Sequence, residues 1–354
     1  MAFDPMELGF IRILRGLDRT QILQFLDACK AIDVPANEII VEEGEEDEAM
    51  LFLLEGELEV YIGKGADITS LAFVRRGEAL GELALLGLST RRTASIRSTE
   101  DCDILVLERA GYESLAAAGH PVVDRLQDQV LRSLAERIRE TDARIGQLAE
   151  GSDLDDREPE GIFSRLTTAV VGTGPRGRAP KPVEVLSSSA HFKDLALAVK
   201  ELLAGHLEVV AMPQGEHVLT EGSMKGDAWI LATGEVGVYR TTRTGLQEKV
   251  GTLHPGALFG HLAIIGDDSR TATCITEQAS WLYKMPREVV KALVESATTE
   301  GRALRHCFIH ALARQLQQAN ERLAAVTAQF ATKTLGKADL ERVHAAQTAV
   351  VGAE

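Results

Sequence analysis

The sequence predicts an α+β protein made of two copies of one domain, each an antiparallel β sandwich or barrel with helices before and after it. Three observations carry this. The chain repeats itself at a constant offset. Each copy breaks into short apolar segments separated by turn residues. Each copy closes on a long amphipathic helical pattern.

The repeat organises everything else. "VEEGEEDEAMLFLLEGELEVY" (Val41 to Tyr61) matches "LTEGSMKGDAWILATGEVGVY" (Leu219 to Tyr239) at an offset of 178. Glu43-Gly44 pairs with Glu221-Gly222, Gly56-Glu57 with Gly234-Glu235, and Tyr61 with Tyr239. The offset becomes 179 at Gly81/Gly260 and returns to 178 at Arg92/Arg270. Each slip is one loop residue, as expected of two diverged copies of one fold.

Taken in order, each copy opens on a helical pattern, "TQILQFLDACKAI" in the first and "KDLALAVKELLAGHL" in the second. Strand-length apolar segments follow, broken by Gly, Asp and Asn. "MLFLLEGELEVYI" reads as two strands about a Glu-Gly turn. The acidic run "EEGEEDE" from Glu42 reads as a solvated turn. Val123 to Leu148 then carries Leu126, Val130, Leu134, Ile138 and Ile145 at heptad-like spacing, and Leu304 to Val326 is its counterpart. Such a stripe packs on its own domain or on a twin helix. A homodimer through 123–148, 304–326 or both is therefore a candidate. Glu150 to Ala190 is rich in Gly, Pro, Ser and charge and reads as a linker, with "GIFSRLTTAVVG" as an apolar docking piece. The expected domains are 1–149, a linker at 150–190, a second copy at 191–335 and a tail at 336–354.

Bulk properties narrow the function. The 354 residues carry a formal net charge of −15, which disfavours a nucleic-acid partner held by phosphate neutralisation. Four scattered cysteines suggest neither a metal site nor a disulfide framework. The N-terminus lacks a signal-peptide pattern, and no stretch reaches the roughly 20 apolar residues of a membrane helix, so a cytoplasmic protein with no membrane partner is expected. "GTGPRG" from Gly172 imitates a dinucleotide fingerprint, but its Pro and the following "RAPKPVEV" cannot open the helix that fingerprint needs. His306 and His310 stand at i, i+4 without an evident third ligand and read as helix surface. No hydrolase, P-loop, zinc-protease or kinase motif is present, so neither an enzyme nor a cofactor is expected.

The chemistry concentrates in "GELALLGLSTRRTASI", from Gly81. A strand ends, Gly81 allows a close backbone approach, and a short helical turn begins whose first N–H groups are free for an anion. Ten residues after Glu82, Arg92 offers a guanidinium fork suited to phosphate oxygens. Thr93 and Ala94 add a hydroxyl and an amide. Glu82 makes sense beside an anion if it accepts from a sugar hydroxyl of the same ligand. The stretch thus describes a pocket for a small phosphorylated sugar.

It resembles the phosphate-binding cassette of cyclic nucleotide-binding domains, with Gly81, Glu82, Leu83, Ala84, Arg92, Thr93 and Ala94 at the matching positions. The resemblance covers most of both repeats. It implies the family's jelly-roll-like β-roll, with Glu82 on the ribose 2′-hydroxyl and Arg92 on the cyclic phosphate. The ten-residue spacing is similar to that of bacterial catabolite activators, whose dimer helix meets the base with a Thr-Ser pair. Thr141 and Asp142 match that pair here, and Asp142 departs from the usual serine. In the second copy, Gly260, Leu262, Ala263, Arg270, Thr271 and Ala272 keep the frame, but His261 replaces the glutamate and Ala319 stands where Thr141 does. A histidine cannot supply a carboxylate's acceptors, and losing a charged partner for a buried hydroxyl costs on the order of 1.5–3 kcal/mol. The second site is therefore expected to be degenerate.

The expectation is a sensor that binds cAMP (or cGMP) in the first copy and signals through an effector protein or self-association. About 20 residues beyond Leu335 are too few for the DNA-binding module of the catabolite activators. Alternatives are a ligand-independent scaffold, a cyclic di-GMP receptor, and a protein like the kinase regulatory subunits, whose basic inhibitory segment is not evident in residues 1 to 20.

Overall fold

The computed structural model describes residues 5–150 and 173–334, apart from residues 64, 66, 67, 90, 225, 242–244, 246, 267 and 268. The apolar piece at 161–172 and the tail at 336–354 lie outside the described residues. The chain divides into two compact units, one built on residues up to Val130 and the other spanning Leu131–Phe330.

The first unit begins with two 3-10 turns, Pro5–Phe10 and Arg12–Leu14, and helix α1 (Arg19–Asp27). Asp18 caps α1 by accepting from the Gln21 amide at 2.9 Å, while the Gln21 side chain accepts from the Asp18 amide at 3.1 Å. The helical reading of "TQILQFLDACKAI" runs too far: Lys30–Val34 is strand β1, because its backbone pairs with the last strand of the roll. Seven more strands follow: β2 (Ile39–Val41), β3 (Ala49–Glu55), β4 (Glu57–Ile62), β5 (Thr69–Arg75), β6 (Ala79–Leu80), β7 (Ser95–Ser98) and β8 (Cys102–Glu108). Helix α2 (Glu82–Leu85) interrupts them, and α3 (Arg109–Ala117) and α4 (Pro121–Glu150) close the copy. They form two four-stranded antiparallel sheets, ordered β1-β8-β3-β6 and β2-β7-β4-β5. The two strands about Glu55-Gly56 do not pair with each other. The chain changes sheets at Gly56, where a Cβ would lie 2.5 Å from the Cys102 Sγ. Val41, Leu51, Leu53, Leu58, Ile96 and Ile104 fill the space between the sheets.

The second unit repeats this plan. After α5 (Pro182–Ser188) and α6 (Leu197–Gly205) come β9 (Glu208–Met212), β10 (His217–Leu219), β11 (Ala228–Thr233), β12 (Val236–Thr241), β13 (Gln247–Leu253), β14 (Leu258–Phe259), α7 (His261–Ile265), β15 (Thr273–Thr276) and β16 (Ser280–Met285), then α8 (Arg287–Glu295) and α9 (Thr299–Thr334). The sheets run β9-β16-β11-β14 and β10-β15-β12-β13, the same order shifted by eight strands. Even the irregularities recur. Register shifts at Ile39/Val41, Leu53/Glu55 and Val60/Tyr61 reappear at His217/Leu219, Leu231/Thr233 and Val238/Tyr239. A bulge bends a strand at a fixed place, so its repetition preserves the curvature of the roll as well as its topology.

The end of the segment read as a linker is folded: α5 buries Val185 and Leu186. The stripe on α4 is covered by the chain itself. Leu126 and Val130 are buried in the first unit, and Leu134, Ile138 and Ile145 in the second. Leu304, Phe308 and Leu312 of α9 are buried likewise. That burial accounts for the stripe without a second chain.

Candidate functional site

The first cassette is held by its backbone. Gly44 N–H donates to the Arg92 carbonyl at 2.8 Å, and Arg92 N–H donates to the Glu45 carbonyl at 2.8 Å. Glu43 then ties the same turn down from both sides: its amide donates to Ser95 Oγ at 2.9 Å and its carboxylate accepts from Gly63 N–H at 3.1 Å. This explains the repeated Glu-Gly pair. In the second copy, Gly222 N–H donates to the Arg270 carbonyl and Arg270 N–H to the Ser223 carbonyl, while the Glu221 amide donates to Thr273 Oγ1 and its carboxylate accepts from Thr241 N–H.

The acidic run is more than a solvated turn. The Arg92 guanidinium is buried, and it forms an ion pair with Asp47, with Nε donating at 3.1 Å and Nη2 to the same carboxylate. Nη2 also donates to the Ala49 carbonyl at 2.7 Å. A guanidinium this far from water needs a partner charge, and the sequence does not single out Asp47 because nothing in a run of seven mostly acidic residues marks one as turned inward. Gly81 stands at φ 95°, directly before α2. A Cβ there would lie 2.5 Å from the Ala49 carbonyl oxygen and 2.6 Å from Arg92 Nη1. Gly81 is thus required by backbone conformation and by space. Gly81→Ala is expected to cost at least about 1–2 kcal/mol in chemical denaturation followed by circular dichroism. Glu82 and Leu83 are half-buried, Ala84 is buried, Thr93 is exposed and Ala94 is half-buried.

The structure places Thr141 and Asp142 in the second unit. Thr141 is buried and its hydroxyl donates to Asn320 Oδ1 of α9 at 3.4 Å. Asp142 forms an ion pair with Arg240 of β12. Their neighbour Arg139 donates to the Leu262 carbonyl of α7 at 3.2 Å. No pattern in the sequence signals Arg240, because an arginine near a strand end is ordinarily solvated.

The second cassette keeps the frame and changes the chemistry. Gly260 precedes α7 at φ 78°, and Arg270 donates to the carbonyls of Gly260 and Asp227. Asp227 matches Ala49 in the repeat, so this backbone acceptor survives in both copies. Burial, against the pull of Asp227, lowers the Arg270 pKa. Leu262 and Ala263 are buried and Thr271 and Ala272 half-buried. His261 is 4% exposed, its ring packs 5.8 Å from that of Phe308, and both ring nitrogens lack a hydrogen-bond partner among the described residues. Burial, with the charges of His191 and Arg270, pushes its pKa down to about 3, so the ring is neutral. Around this cassette opens a cavity of about 630 Å³, walled by Arg240, Arg270, Arg314, Arg322, His261 and Asp142 among others, with Ala319 also on its surface.

The cyclic nucleotide-binding domain pattern matches two stretches, residues 31–118 and 209–297, together half of the chain. The chain belongs to the cyclic nucleotide-binding domain family. The matched stretches enclose both β-rolls and both cassettes. Over 278 residues the chain is 24% identical to the cAMP-dependent protein kinase regulatory subunit of Mycosarcoma maydis, covering 75% of this chain and 42% of that one. It is 25% identical over 135 residues to the cyclic AMP receptor protein of Thermus thermophilus, 38% of this chain and 61% of that one. A solved structure of the Toxoplasma gondii protein kinase A regulatory domain with cAMP matches 84% of this chain and 95% of its own, at 18% identity and a TM-score of 0.31. The chain spans less than half the length of the kinase-related relatives it matches. No described helix is long and apolar enough to cross a membrane. Among the described residues no group of His, Cys, Asp and Glu is placed to hold a metal ion; the His306 and His310 rings simply pack against each other on α9, their centroids 4.4 Å apart.

Proposed function

We propose that this chain is a cyclic nucleotide sensor whose first copy binds cAMP (or cGMP), with Arg92 on the cyclic phosphate, Glu82 on the ribose 2′-hydroxyl, and the turn from Gly81 to Ala84 closing on the phosphate. The observation that carries this is the buried Arg92 guanidinium, stapled to the turn before β3 and standing beside Gly81 at the start of α2. A buried guanidinium with an acidic counterion is a preformed anion site whose resident carboxylate a phosphate can replace. Thr93, Thr141 and Asp142 remain candidates for reading the base.

The output follows from α4, whose first third belongs to the first unit and whose remainder belongs to the second. In the first unit Arg125 of α4 donates to the Ile13 and Arg15 carbonyls at 3.1 and 2.7 Å, and Gln127 donates to the Tyr112 hydroxyl at 3.1 Å. A ligand that favours one arrangement of the first cassette biases whatever arrangement of α4 goes with it, by its differential affinity for the two states. The signal passes to an effector protein or to self-association. A kinase catalytic subunit is the effector that the regulatory-subunit likeness suggests, and co-purification tests it.

Isothermal titration of the full chain with cAMP, then cGMP, tests the reading. One cAMP site per chain is expected, and no heat with either nucleotide in nucleotide-free protein would leave only a scaffold. Asp47→Asn is expected to tighten cAMP severalfold in the same titration, because the phosphate then displaces an amide rather than a carboxylate.

A further inference from the structure

We propose that the cavity of the second copy is a binding site for a nucleotide carrying two phosphate groups, one held by Arg270 and the other by Arg240 and Arg322 after displacement of Asp142. This goes beyond the first copy's site and does not rest on it.

The charge distribution carries the inference. Four arginines line the cavity, Arg240, Arg270, Arg314 and Arg322, and among the described residues Asp142 is its one carboxylate. Arg240 and Arg322 both line its wall, and after burial the charge of Arg240 is the next cause lowering the Arg322 pKa; Asp142 and Glu248 offset it. Two guanidiniums brought together in a partly desolvated wall repel, and an anion between them relieves the repulsion. Asp142 supplies part of that relief as an ion pair on Arg240, both side chains being mostly buried. Its carboxylate thus sits where a ligand's second anion would.

Arg270 lies at the cassette end of the same cavity, held by the Gly260 and Asp227 carbonyls. A cyclic mononucleotide brings one negative charge, which satisfies one end and leaves the other to Asp142. A ligand with two phosphates satisfies both. His261 agrees with a changed ligand. It forms part of the wall, and its two ring nitrogens are buried without partners among the described residues, a condition native proteins rarely leave unanswered. A neutral imidazole offers one donor and one lone pair, suited to a hydroxyl or a base edge rather than to the role of a glutamate. The cavity volume, about 630 Å³, falls within the range of sites that enclose a ligand of nucleotide size.

The test is titration of the full chain carrying Arg92→Ala, which silences the first copy, with cyclic di-GMP, with adenosine 3′,5′-bisphosphate and with cAMP. At least one of the two-phosphate probes is expected to bind one site per chain, tenfold or more tighter than cAMP. Which of them binds tells a cyclic from a linear ligand. Arg240→Gln and Arg322→Gln should each weaken that binding tenfold or more, and Asp142→Asn should tighten it severalfold. Binding of neither probe, equal binding of cAMP, or indifference to both arginine substitutions overturns the proposal. Should Arg92→Ala fail to fold, the wild-type chain serves, read through the fluorescence of Trp229 and Trp281, the only tryptophans, both in the second unit. Failure of the first-copy reading looks different: there, cAMP titrations of wild type and Arg92→Ala coincide.

Discussion

Arg92→Ala is expected to abolish cAMP binding to the first copy, weakening it at least 100-fold in isothermal titration. A guanidinium on a cyclic phosphate makes charge-assisted hydrogen bonds worth about 1.5–3 kcal/mol each, and two of them account for the loss. The backbone bonds between Arg92, Gly44 and Glu45 do not depend on the side chain and survive the substitution. Asp47 loses its partner but is one-third exposed, so water replaces the guanidinium and the fold persists. Circular dichroism and a thermal melt check that. Arg92→Lys keeps the charge and loses the fork, and an intermediate affinity is expected. Unchanged cAMP affinity in Arg92→Ala would remove the first cassette as the site.

The second large effect concerns His261. His261→Phe is expected to stabilise the second unit by about 1–3 kcal/mol at neutral pH, because it removes two buried polar atoms that lack partners and keeps the ring against Phe308. It should also change the pH dependence. The folded pKa, about 3, lies below the value of 6.5 that an exposed histidine has. Below about 6.5 the unfolded chain takes up a proton that the folded unit refuses. The wild-type unit therefore loses stability as pH falls from about 6.5 towards 3, by up to about 1.4 kcal/mol per pH unit from this group. His261→Phe lacks that slope. Urea unfolding read by tryptophan fluorescence reports the second unit alone, since Trp229 and Trp281 both lie there. Parallel pH profiles for wild type and variant would show that His261 titrates normally and is not sealed in the native state.

Much of the fold was legible in the sequence because an internal repeat carries its own alignment. The offset of 178 residues aligns the Glu-Gly turns, the cassettes and the closing helices of the two copies, and the bulges recur at the same offset. Local signals were less reliable at boundaries. The stretch "KAIDV" continued a helical pattern and became β1, since pairing with β8 outweighs a weak helical preference. The turn at Gly56 looked like a hairpin, but whether two adjacent strands pair or part into different sheets is decided by what packs behind the turn, here Cys102 and Asp101.

The sequence by itself determined the two-copy architecture, the position of each cassette and the loss of a carboxylate at His261. These follow from residue identity at fixed spacing, which the chain carries in one dimension. Only the tertiary structure decided which charges meet. Asp47 was one acid in a run of acids until the roll turned it onto Arg92. Asp142 belongs by sequence to the helix after the first copy, yet it pairs with Arg240 of the second. Coulomb energy depends on distance and on desolvation, and both arise when elements far apart in the chain pack together. The repeat therefore marks where ligands are to be sought, and the packed charges distinguish the two sites.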